Sequence, residues 1–116
     1  MLFCDVSACR PVAELRLSGE LASDGVAELG AELTALIRTE HYDLVVDMNA
    51  LSHVSPICVG VLNRAAAELL PFGGQLTLAG ATDADLRALR RAGLNGMIPL
   101  ASARRARDSA PSVTTD

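Results

Sequence analysis

Among the side chains able to do chemistry, spacing rules out most combinations. Asp43 and Asp47 lie four residues apart on an extended segment, so they share a face about 13 Å apart, too far to work as one acid/base pair. His41 and His53 have no metal-ligand spacing with each other or with a cysteine, and read as ordinary surface or loop residues. Gly73-Gly74 follows a periodic apolar run instead of opening one, which makes it a stop and turn without a phosphate cradle. Nothing assembles a nucleophile with a base. The chain is expected to be a non-enzyme, with no cofactor and no bound metal.

Two residue types remain, both in the stretch from Leu44 to Leu62. Ser55, followed by Pro56, has two readings. As an N-cap its hydroxyl accepts from the first free helix amides, with Pro56 at the first helical position. As a phosphoacceptor it would carry about -1.5 to -2 charge at a helix N-terminus. The cap is the preferred reading, and Ser52 reads as loop solvation. Cys58, near the third helical position, also has two. Helix amides and dipole would lower its pKa and favour a thiolate, open to a redox switch with Cys4 or Cys9. Packing as a small apolar residue is preferred, because free cysteines are commonly buried.

The elements that position these groups follow from periodicity. Leu2 to Cys4 is a short strand, ended by a turn over Asp5 to Pro11. Val12 to Ser18 alternates, with Ala13, Leu15 and Leu17 against Glu14 and Arg16, a half-exposed strand paired with the first as a hairpin. Ser23 caps a helix to about Thr39 whose Val26, Leu29, Leu33, Leu36 and Ile37 form one stripe. Leu44-Val45-Val46 suits a strand covered on both faces, closed by Asp47, with Asn49, Ser52 and Ser55 in a polar loop. A second helix runs from Pro56 to about Leu70, with Val59, Leu62, Ala66 and Leu69 inward. Gln75 to Ala79 is a strand, Asp83 to Ala92 a helix capped by Thr82 and stopped by Gly93, and Met97 to Leu100 a last strand. Ala101 to Asp108 is expected to make a short helix. The fold class is α/β: a mostly parallel five-stranded sheet with an antiparallel edge strand, packed by about four helices. Residues 1–108 form the domain and 109–116 a flexible tail.

Composition narrows the partners. A chain of 116 residues makes one domain. Aromatics are only 3% with no Trp, leaving little to stack on bases. The net charge is -4 and the basic residues, all Arg, are scattered, so no broad phosphate-binding face forms and nucleic acid is excluded as a direct partner. Three cysteines, an odd number without a signal peptide, speak against a disulfide framework and for a cytoplasmic location. No apolar run approaches the roughly 20 residues that cross a bilayer, so no membrane insertion is expected.

Gly19-Glu20-Leu21, Val45-Val46-Asp47, Val59-Gly60-Val61-Leu62, Gly73-Gly74-Gln75-Leu76 and Arg91-Ala92-Gly93-Leu94 together resemble the STAS domain of bacterial anti-sigma-factor antagonists, in order and spacing from Val12 to Leu100. The resemblance implies that the chain binds an anti-sigma factor, often a kinase-type ATPase, and so regulates transcription. It also implies a phosphorylated Ser at the start of the second helix. Here the family's Asp-Ser-Ser-Gly aligns with Ser55, Pro56, Ile57 and Cys58, so the phosphoacceptor position holds Pro56, which has no hydroxyl. Partner binding is therefore expected at Ser52, His53, Ser55, Pro56, Ile57, Cys58, Gly60 and Asn63, without the usual phosphoserine switch. The alternative is a STAS scaffold subunit of a stress-signalling complex or a phospholipid-transport ABC complex. A monomer or weak dimer is expected.

Overall fold

Alternating apolar residues put the buried sides of the first four strands on the same face of one sheet. The computed structural model describes residues 2–9 and 11–102. Its elements are β1 (Leu2–Cys9), β2 (Val12–Leu21), α1 (Ser23–Arg38), β3 (Asp43–Val54), α2 (Val59–Leu69), β4 (Gln75–Ala81), α3 (Asp83–Arg91) and β5 (Leu100–Ser102), with single 3-10 turns at Pro56–Cys58 and Leu70–Phe72 flanking α2. The strands stand in the order β1-β2-β3-β4-β5, β1 antiparallel to β2 and all other neighbours parallel. This is the five-stranded, mostly parallel sheet with an antiparallel edge strand that the sequence predicts. Of the fourth expected helix, Ala101 and Ser102 belong to β5, and the rest, like the tail 109–116, lies outside the described residues.

Ala13, Leu15 and Leu17 of β2, Leu44 and Val46 of β3 and Leu76 and Leu78 of β4 are almost fully buried against the helices. α1 supplies Leu29, Leu33 and Leu36, and α2 supplies Val59, Leu62, Ala65 and Leu69. Ala65 is the more deeply buried of its pair, with Ala66 packed at the rim. Val45, expected in a strand covered on both faces, is only half-buried, since it shares the opposite face with Glu14 and Thr77. Three helix ends follow their sequence signals to different degrees. Thr82 Oγ1 accepts from Asp85 N–H at 3.1 Å, and Gly93, at φ 104°, closes α3 as Gly93 N–H donates to Arg90 O and Leu94 N–H to Leu89 O. Ser23, expected as the cap of α1, is instead its first helical residue; Ala22 is the cap and offers no side-chain bond.

Three boundaries differ from expectation, two where a ladder continues past local polarity and one where a turn delays the strand. β1 does not turn at Asp5: all eight residues pair with β2, from Leu2 with Gly19 to Cys9 with Val12. An edge strand open to water tolerates polar side chains, and the hydrogen bonds to β2 decide its length. β3 does not close at Asp47 but runs to Val54, replacing most of the expected polar loop. β5 begins at Leu100, after Met97 and Ile98 have turned back onto Asn95 through Met97 N–H to Asn95 Oδ1 (2.9 Å) and Ile98 N–H to Asn95 O (3.1 Å).

Beside the long β3, Gly80 sits at φ 82° where the β4–β5 register shifts, and a Cβ there would lie 2.7 Å from Asn49 N and 2.8 Å from Asp47 Oδ1. Gly60, in the first turn of α2, has open space where its Cβ would project. Gly80→Ala is expected to cost about 1–3 kcal/mol, and Gly60→Ala to stabilise by about 0.5–1 kcal/mol. Urea unfolding of the two variants checks both signs.

Candidate docking corner

The corner is made where β2 and β3 end together. Their register is regular from Val12 with Asp43 to Arg16 with Asp47, then slips by one residue before Ser18 pairs with Ala50, and by one more between Gly19 and Glu20. Two extra β3 residues are thereby accommodated as bulges. Met48, Leu51 and Val54 consequently recur at a spacing of three and still turn into the core. Asp47 Oδ1 accepts from Asn49 N–H at 2.9 Å across the first irregularity. Ser52 stands at the second and donates its hydroxyl to Gly19 O at 2.9 Å. Ser52, expected only to solvate a loop, ties the two strands together.

One residue beyond β3, Ser55 N–H donates to Leu21 O at 2.8 Å, so the last carbonyl of β2 fixes the start of the following helix. Ser55 has extended backbone (φ -80°, ψ 132°), as the residue before a proline must. Its Oγ accepts from Ile57 N–H at 3.4 Å. That length places the cap at the weak end of the about 0.5–2 kcal/mol such bonds supply. Pro56 occupies the first position of the 3-10 turn and is exposed. Ile57 beside it is 56% exposed, although it is a large aliphatic residue. His53 and Gly60 are also exposed, flanking this apolar tip.

Two expected site residues turn inward. Cys58 is completely buried in the core, and burial pushes its thiol up to about 11 from an ordinary 9.0; a hydrogen bond with its own backbone opposes this, and Asp85 adds a smaller rise. Depth and a disfavoured thiolate support the packing reading of Cys58 over the redox one. Cys4, on the edge strand, is also raised, by burial and then by Glu28 and Glu32 of α1. Asn63, half-buried, donates through Nδ2 to Gly93 O (3.0 Å) and accepts at Oδ1 from Asn95 N–H (2.8 Å). It latches α2 to the α3–β5 connection. The surface set is therefore Ser52, His53, Ser55, Pro56, Ile57 and Gly60. The carbonyls of Gly19 and Leu21 and the pressed backbone of Gly80 complete the corner. Of these, the Gly19-Glu20-Leu21 motif carries a sequence signal, while Gly80, inside an apolar strand, carries none.

Among the described residues no three of His, Cys, Asp and Glu converge on a point where a metal could sit. No helix among them is long and apolar enough to cross a membrane. At this corner the hydroxyls of Ser52 and Ser55 both serve backbone groups. The arrangement offers a rigid apolar contact with polar neighbours. The unfolded thiol of Cys58 ionises near 9 whereas the folded one keeps its proton to about 11. Stability from this group is thus complete below pH 9 and is lost as pH rises toward 11. Chemical unfolding between pH 8 and 11 is expected to show a decline that is smaller in Cys58→Ala.

Residues 4–99 match the family model described as Mlab, STAS domain. No curated protein matches the chain. Among solved structures it is similar to an anti-sigma factor antagonist from Mycobacterium paratuberculosis, at 20% identity and a TM-score of 0.76 over 100% of this chain and 96% of that one. It is similar to RsbS from Moorella thermoacetica, at 19% identity and a TM-score of 0.72, covering 97% and 98%. It is also similar to the Bacillus cell fate determinant SpoIIAA in its phosphorylated form, at 21% identity and a TM-score of 0.67, covering 93% and 99%.

Proposed function

Since the chain belongs to the Mlab, STAS domain family, we propose that it is a regulatory binding module: an anti-sigma-factor antagonist that docks its partner at the Ser52 to Gly60 corner and lacks the usual phosphoserine switch. The observation that carries this reading is the exposed Pro56-Ile57 tip on a strand-anchored helix start. A fixed apolar tip ringed by His53, Ser52 and Gly60 resembles the centre of a protein interface, where a few buried anchors dominate affinity. The likeness to an antagonist from Mycobacterium paratuberculosis supports the fold on which such docking depends.

The protein acts by binding and not by catalysis, in the cytoplasm, and its partner is an anti-sigma factor of the ATPase-kinase class. Pro56 offers such a kinase no oxygen, and Ser55 lies one residue early with its hydroxyl turned to Ile57 N–H. Control then rests on abundance or on the partner. A second reading, a scaffold subunit in a stress-signalling or phospholipid-transport ABC complex, is favoured by one observation: the matching family model is described as Mlab and not as an antagonist. It uses the same corner and equally needs no phosphate.

Co-purification with the tagged full chain separates the two, because the captured ATPase is identified by peptide mass as a kinase-type anti-sigma factor or an ABC subunit. The antagonist reading expects the former, and Ile57→Asp to weaken capture at least about tenfold. It further expects no mass change after incubation with the captured kinase and ATP. Stoichiometric phosphate on Ser55 would overturn the switchless reading, and capture of an ABC ATPase would replace the antagonist.

A further inference from the structure

Among the described residues, β1 ends the sheet with one side unpaired. It is eight residues long and pairs with β2 without a register break. Edge strands are normally kept from joining other edges by lysines, prolines, bulges or shortness, and β1 has none of these; Asp5 is its sole charge. Phe3 on the open sheet face is 59% exposed and Val6 on the helix face 38% exposed. The other edge differs. Among the described residues β5 has three, follows Pro99 and breaks register with β4. One receptive edge opposite one blunted edge allows a single closed pairing instead of a fibre.

We propose that β1 pairs antiparallel with β1 of a second copy, with Val6 on the twofold axis, so that two sheets join edge to edge. The register follows from geometry and charge. With the axis normal to the sheet, opposed residues share a face, so the axis passes through a residue. Centred on Asp5 it would oppose two carboxylates, a destabilising arrangement. Centred on Ser7 it would pair only residues 5–9 and leave Phe3 uncovered. Centred on Val6 it sets Val6 against Val6, Asp5 against Ser7 and Cys4 against Ala8, and pairs residues 3–9 of each copy. Because Leu2 lies beside Gly19, at the docking-corner end of β2, the antiparallel arrangement sends the two corners to opposite ends of the joined sheet. Both stay open to partners. A single strand pair falls below the roughly 1,200 Å² of a stable interface, so the dimer is reversible.

Sedimentation equilibrium of the full chain from micromolar to near-millimolar concentration is expected to give a monomer–dimer equilibrium. Val6→Lys, with an unchanged circular dichroism spectrum, should weaken it by at least about tenfold. In a second test, Val6→Cys combined with Cys4→Ser and Cys9→Ser should form an intermolecular disulfide in oxidised-thiol buffer, because opposed Cα atoms lie about 4.5–5.5 Å apart across such a ladder. A native chain that stays monomeric at every concentration overturns the proposal. So does a dimer indifferent to Val6→Lys, an assembly that grows beyond two copies, or a Val6→Cys protein that dimerises without cross-linking.

Discussion

Past Arg16 and Asp47 the ladder between β2 and β3 takes in one extra β3 residue, and past Gly19 a second, yet pairing continues to Leu21 and Val54. Each bulge frees a carbonyl or amide that must find another partner. Ser52 Oγ answers Gly19 O, and Asp47 Oδ1 answers Asn49 N–H. The same bulges keep Met48, Leu51 and Val54 turned inward, so the strand end stays attached to the core while its polar residues face out. From that anchored end Ser55 N–H reaches Leu21 O, and the entry to α2 is set by sheet hydrogen bonding instead of by a loop.

That construction determines what chemistry the corner retains. Pro56 supplies a fixed φ and no donor, suited to a first helical position. In return the position loses the hydroxyl that a phosphoryl group would need. Ile57 is left exposed by the 3-10 turn, whereas Cys58, one residue on, is fully buried. Three adjacent residues thus divide into a rigid entry, an apolar contact and a core plug. Asn63 then secures α2 to the far connection through Gly93 and Asn95. Such an arrangement favours constant shape over switching, in keeping with the proposed docking role.

Much of this was legible before the structure because the signals were strong and local. The alternation of Ala13, Leu15 and Leu17, the stripe of α1, the Thr82 cap and the Gly93 stop all depend on neighbours a few residues away. Apart from the Ser23 cap, displaced by one residue, the errors lie where a distant partner decides. MNALSHV, from Met48 to Val54, has neither a two-residue nor a helical period; its three-residue spacing has meaning only once two bulges against β2 are known. Asp5 to Cys9 looks like a turn until Val12 to Arg16 lies beside it. The proposed corner is the one expected from the Ser55-Pro56 junction, but the structural roles of Ser52 and Asn63 depend on partners about thirty residues removed and, like the inward turn of Cys58, could not be read from spacing.

The central claim is that the corner is built in advance by the β2–β3 ladder. Amide hydrogen exchange of the isolated full chain, read by NMR, tests it most directly. The account requires Ser55 N–H, held by Leu21 O, to exchange nearly as slowly as the core-strand amide of Val46. Exchange of Ser55 at the rate of an open loop, with Val46 still protected, would contradict it.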